Sequence, residues 1–266
     1  FERDFQRDFP FDRAEIHTAF RPCGESARYC LQALHGMTFA QWWKGHTVPD
    51  PTFRHNSYPC KIISATIGLE ALTAQVFPSL KEEALGAARN AAQFLMDIAQ
   101  PAGAPLAHFP PTYYNNAAMT SAAKLADNRG TTMTMEACSV ADAFLTLYKA
   151  CGERQYFDFA LDIMRTYASL QRPYWSFPIK VNYATGAPLL DVCAMPHPII
   201  LTVARLRNEF GVTEFDDMAF NAEQWMARVP LTTFDFTGQF EDVSVNGLEP
   251  YENLTYVAAA MYGEYL

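Results

Sequence analysis

"ADAFLTLYKACGERQYFDFALDIMRTYASLQ", residues 141–171, is the stretch on which the fold turns. Its first half is an apolar run that stops at Gly152, and glycine ends helices because it takes left-handed backbone without steric cost. A second stripe starts at once: Phe157, Leu161, Met164 and Ala168 recur at helical spacing on one face. Two helices joined by so short a break must lie antiparallel, as an αα-hairpin.

The same punctuation recurs along the chain. Pro59, Pro196 and Pro250 open apolar runs over 59–76, 196–210 and 250–266, and the first turn is where a helix tolerates proline. A further run, 133–151, follows "DNRGTT" instead. Short breaks at Phe77-Pro78-Ser79, Gly152 and Gly211 lead into second helices over 80–99, 154–171 and 214–228. Ser79 with Glu82, and Thr213 with Asp216, stand at capping-box spacing. A short helix near 24–36 interrupts a less regular segment. The expectation is one all-α domain over 1–266, with 1–57 an irregular segment packed on the hairpins. The tight turns at Pro78, Gly152 and Gly211 are unequally spaced, which argues against a constant-period solenoid and for an (α/α) toroid or incomplete toroid with functional loops.

In stacked hairpins the tight turns lie at one end, so the long connections must gather at the other. These are "QPAGAPLAHFPPTYYNNAA", "RPYWSFPIKVNYATGAPLLDVCAM" and "PLTTFDFTGQFEDVSVNGLEP". The first two share Phe-Pro before a polar stretch ending in Tyr, and the third repeats the aromatic density. Segment 176–190, with Thr185-Gly186 as its turn, reads as a small β-hairpin in the long loops. It would form a wall of a cleft.

Composition narrows the partners. Half of the 266 residues are hydrophobic, enough for a full core. A net charge of -9 excludes the clustered Lys and Arg that nucleic acid requires. No apolar run approaches the roughly 20 residues of a membrane span, so a soluble protein is expected, secreted or periplasmic if a signal peptide has been removed upstream of Phe1. Cys23, Cys30, Cys60, Cys138, Cys151 and Cys193 are dispersed with no metal-ligand spacing. Free buried thiols and no metal are expected. No dinucleotide fingerprint, phosphate loop or nucleophile elbow is present, so no cofactor is expected either.

The helix-pair repeat over 58–266, the 141–171 hairpin leading into an aromatic-proline connection with "NYATG", and "GQFEDV" leading to "PYENLTYVAAAMYGEYL" together resemble the (α/α) toroid enzymes that act on carbohydrates: the six-hairpin glycosidases and the toroidal polysaccharide lyases. The resemblance implies a helical toroid whose loop end binds and cleaves an oligosaccharide or polysaccharide.

Within the loop-end segments the residue chemistry offers two routes. Glycoside hydrolysis needs two carboxyl groups flanking the bond, and Glu241 with Asp242 is the favoured pair, with Asp191, before the 196–210 helix, a further candidate at the same end and Tyr251, in the helix after Glu241 and Asp242, a sugar contact. Elimination or epimerisation at a uronic acid needs a base and a partner for the sugar carboxylate. Tyr114 or Tyr183 would serve as base and acid, His108 or Asn115 would help hold the carboxylate, and Arg129 or Lys180 would supply charge. Trp175 and the Tyr113-Tyr114 pair have the flat faces that stack on sugars. The non-enzyme rival is a helical-repeat binding protein.

Overall fold

The computed structural model describes residues 23–50, 52–114, 128–233 and Gly263. They are mostly helical. In chain order they form α1 (Cys23–Met37), α2 (Pro59–Val76), α3 (Lys81–Ile98), β1 (Thr131–Met133), α4 (Glu136–Cys151), α5 (Arg154–Leu170), β2 (Lys180–Asn182), α6 (His197–Phe210), α7 (Asp216–Arg228) and the one-turn α8 (Pro230–Thr233). The helices expected from residue 59 onward are present with close boundaries, except 250–266, which lies outside the described residues.

Gly152 and Gly211 stop α4 and α6 with φ of 77° and 70°, the left-handed conformation that closes a helix on its own carbonyls. The expected side-chain caps are absent. Leu80 and Phe215 occupy the N-cap positions of α3 and α7, without a side-chain cap bond. Ser79 is absorbed in the 3-10 turn Pro78–Leu80, and the Asp216 amide donates to the Thr213 carbonyl. Main chain does what the hydroxyls were expected to do.

Three hairpins result: α2 on α3, α4 on α5, and α6 on α7. The first helices also lie side by side in the order α2, α4, α6. Ion pairs run along them in the same sense: Lys61–Glu136 at the starts, Arg205–Asp142 midway, Lys149–Glu209 near the ends. The three first helices are therefore parallel. Ile63, Ile67, Val140, Phe144, Ile199 and Val203 are buried between them and their partners. The inner face of α3 is built of Ala84, Ala88, Ala91 and Ala92, all buried, so small side chains let it approach α2 closely. On α5, Phe157, Leu161 and Met164 are buried as expected, while Ala168 is exposed and Tyr167 takes the core position beside it.

The strand content departs from the sequence reading. Segment 176–190 does turn back on itself: Asn182 Oδ1 accepts the Ala184 and Thr185 amides at 3.0 Å each, and the Leu189 amide donates to the Lys180 carbonyl at 3.0 Å. The regular ladder is with a different partner, because β2 pairs antiparallel with β1, Thr132 opposite Val181. Thr131 and Thr132, expected as the lead-in of a helix, are β-branched and buried, which suits a strand. Gly186 sits at φ 69° where a Cβ would come within 3.2 Å of Pro105, so the turn packs directly on the preceding connection.

Helix α1 leans on α2. Within its residues 24–37 only His35 is buried, and its Nδ1 lies 2.6 Å from Oε2 of Glu70, a fully buried carboxylate. Burial pushes the Glu70 carboxyl above its ordinary value, against the lowering effect of its bonds to His35 and Thr38.

Candidate functional site

Parallel first helices put the starts of α2, α4 and α6 at one end of the molecule, where the two long connections described here also meet. The Phe-Pro motifs anchor them. Phe109 and Phe177 are both buried against the ring of Tyr167, at centroid distances of 4.7 and 6.3 Å. The Tyr167 hydroxyl donates to the Thr134 carbonyl between β1 and α4. One aromatic residue of α5 thus fixes both connections.

Threonines stitch the rest. The Thr112 amide donates to Thr132 Oγ1 at 3.1 Å, and the Met133 amide donates to Thr112 Oγ1 at 3.0 Å. Thr134 donates to the Pro178 carbonyl. All these groups are buried, so each bond satisfies a donor or acceptor that water cannot reach. The loop end is an ordered wall.

On this wall the sequence candidates separate. Lys180 is fully buried in β2, donates to Asn128 Oδ1 at 2.7 Å, and lies 5.6 Å from the ring centroid of Tyr113. Tyr113 in turn meets Tyr58 edge to face at 5.8 Å. Tyr114 is half-buried: its amide donates to the Ser57 carbonyl and its ring meets Phe94 of α3. Lys180 and Tyr113 are brought together, with Tyr114 next along the chain.

Tyr183 has a different role. Its hydroxyl reaches the Phe109 carbonyl at 2.8 Å and the Ile98 carbonyl at 3.3 Å, and burial, then the nearby Cys60, pushes its phenol well up. A hydroxyl so engaged is a tie between the connection and the end of α3. His108 holds φ 63°, packs edge to face on Phe159 of α5 and lies 3.7 Å from Asp162. It therefore faces the second helix of a hairpin. Arg129 and Asp191 are exposed. Trp175 stands at φ 71° with the Arg228 guanidinium 5.6 Å from its ring, on the α7 side. Glu241, Asp242, Asn115 and Tyr251 lie outside the described residues.

Sequence reasoning missed Tyr58, Lys61, Asn128 and Glu136. Glu136 opens α4, is nearly buried, and lies 3.4 Å from Nζ of Lys61 in the first turn of α2. The signal was an acid in a helix's first turn, which by itself reads as a dipole partner; only the packing of α4 on α2 gives it a lysine. Between α2, α4 and α6 lies a groove of about 610 Å³ whose lining includes Lys61, Ala65, Gly68, Ser139, Asp142 and Leu201; Ser64 and Thr202 in it are buried, and the Ser64 hydroxyl donates to the Cys60 carbonyl of its own helix.

The expectation of buried thiols holds in part, since Cys30 is exposed and Cys151 and Cys193 are half-buried. Cys60 and Cys138 are buried, and burial raises both, Cys138 to about 12. Among the described residues no group of three His, Cys, Asp or Glu gathers as a metal site, and no helix is long and apolar enough to cross a membrane. The chain matches no protein-family model, and no curated protein is significantly similar to it.

Proposed function

We propose that the protein is a carbohydrate-active enzyme that holds an oligosaccharide at the loop end of a toroid-like arc of hairpins and cleaves a glycosidic bond there. One observation carries this reading: two aromatic-proline connections lock together over the parallel starts of three helices and leave Tyr113 and Tyr114 half-buried there, at the Lys61 end of the groove between those helices. Half-buried rings beside polar side chains offer the apolar faces and hydrogen bonds that a sugar takes.

Hydrolysis is the first route. It requires one carboxyl to protonate the leaving oxygen and a second, ionised, to activate water or attack the anomeric carbon. Glu241 and Asp242, on the third long connection of the sequence, are the proposed pair, and Glu136 beside Lys61 is a further carboxylate, where the groove begins.

Elimination or epimerisation at a uronic acid is the second route, favoured by the part-exposed Lys61 at the start of α2. Cations and helix starts together favour a carboxylate-bearing ligand. Tyr114 is then the proposed base, with Asn115 holding the sugar carboxylate; Lys180, expected to supply charge, has no exposed surface from which to reach a ligand.

The test is a screen of neutral and uronic-acid oligosaccharides read for new reducing ends and alkene absorbance on the same samples. Reducing ends without alkene, lost in Glu241→Gln, support hydrolysis. Alkene lost in Tyr114→Phe, with Glu241 intact, supports elimination. Silence from a folded protein on every substrate overturns the enzyme and leaves the helical-repeat binder.

A further inference from the structure

Immediately after α5 the chain exposes two aromatic rings in succession. Tyr174 is 84% exposed and Trp175 36% exposed, whereas Ser176 and Phe177, the next residues, are buried. Trp175 adopts φ 71°, a conformation in which glycine is the residue of choice. A tight turn holds it: the Trp175 amide donates to the Arg172 carbonyl at 2.8 Å, the Arg172 amide donates to the Ser176 carbonyl at 2.9 Å, and Gln171 Nε2 reaches the Trp175 carbonyl at 3.3 Å. The turn serves to project a large ring from a position where a glycine would fit better.

The ring meets a polar stripe on α7. Arg228 lies beside the indole, donates to Gln224 Oε1 at 3.2 Å, and shares its helix face with Phe220, which is 59% exposed. Residues 220, 224 and 228 recur every four positions, so they form one line about 12 Å long at 1.5 Å per residue. The order along the surface is aromatic, amide, guanidinium, aromatic. Here the charge stands between the rings, which suits a ligand with flat apolar faces and anionic edges.

We propose that Tyr174, Trp175, Arg228, Gln224 and Phe220 form an accessory surface that binds an acidic glycan, a chain of uronic-acid sugars. The indole takes the apolar face of a sugar ring, the Arg228 fork takes a carboxylate, and the Gln224 amide takes hydroxyls. The proposal rests on the carbohydrate reading above for the class of ligand, and adds a site that would hold polymer outside the groove.

Titration calorimetry with a uronic-acid tetrasaccharide, and with a neutral tetrasaccharide of equal length, tests it. The informative variant is Trp175→Gly, because glycine accepts the native φ and the fold should survive, as circular dichroism checks. The wild type is expected to show two binding events for the acidic tetramer, of which Trp175→Gly removes one, with at least a tenfold loss, and leaves the other. Arg228→Gln should weaken the Trp175-dependent event for the acidic tetramer alone. Unchanged binding in Trp175→Gly overturns the platform, as does binding of neither sugar; equal, Trp175-dependent binding of both sugars overturns its acidic preference. A Trp175-dependent event without turnover of any substrate keeps the platform and sinks the enzyme, while turnover with binding indifferent to Trp175 does the reverse.

Discussion

The two ends of the hairpins are built from opposite materials. At the tight-turn end, glycines reverse the chain and exposed ion pairs such as Arg89–Glu153, Arg154–Asp158 and Lys149–Glu209 decorate it. At the loop end, Lys180, Thr112, Thr132 and Thr134 are buried and hydrogen-bonded. Exposed pairs gain little and are screened by salt. Buried polar groups carry a desolvation cost that only a complete set of partners offsets. A chain that places its expensive groups at one end is holding that end in a particular shape.

The sharpest way to break this contrast is to remove an anchor of the loop end. Phe177→Ala deletes a fully buried ring against Tyr167 and should destabilise the protein by about 3–5 kcal/mol, measured by urea denaturation. Tyr183→Phe keeps the ring and removes the donor to the Phe109 and Ile98 carbonyls. Its expected cost is about 1–3 kcal/mol, that of leaving the Ile98 carbonyl unpaired, since the Phe109 carbonyl keeps the Gln100 amide; a loss below the range of a surface substitution would mean that the hydroxyl is not a tie.

At the other end the effects should shrink. Gly152→Ala meets no neighbour within 4 Å, so its cost is backbone alone, about 1–2 kcal/mol for left-handed φ. Smallest is the acid response of Glu209, whose carboxyl is held below its ordinary value by the hydrogen bond from Lys149, with burial opposing and Arg205 reinforcing. A lowered carboxyl contributes stability above its ordinary pKa and loses it as pH falls through the depressed value. Because the pair is exposed, Glu209→Gln should flatten this part of the pH–stability curve only slightly, and 0.5 M salt should mimic it. A large effect would place the turn end in the same class as the loop end.

What was legible follows the same division. The hairpins could be read because their signals are local: a proline opens a helix, a glycine closes it, and the apolar spacing lies within a few turns. Strand β1 could not, since three residues have no periodicity of their own and Thr131–Met133 becomes a strand only through β2. The Ser79 and Thr213 caps were misread because a backbone turn can supply the same hydrogen bonds. Among the site residues, the sequence order correctly brought Tyr113 and Lys180 into one neighbourhood. It left Glu136 as an ordinary first-turn acid, and it gave Tyr183 a chemical role where burial and two carbonyls make it an anchor.

The β1–β2 ladder has a further consequence, for the order of assembly. Each hairpin closes through contacts near in sequence, whereas the ladder joins strands roughly 50 residues apart and pays the entropy of closing that loop. Local contacts form early and distant ones late, so during folding the helix pairs should dock before Lys180 and Tyr113 are brought together. The part of the molecule on which the proposed chemistry depends would then be the last to be completed.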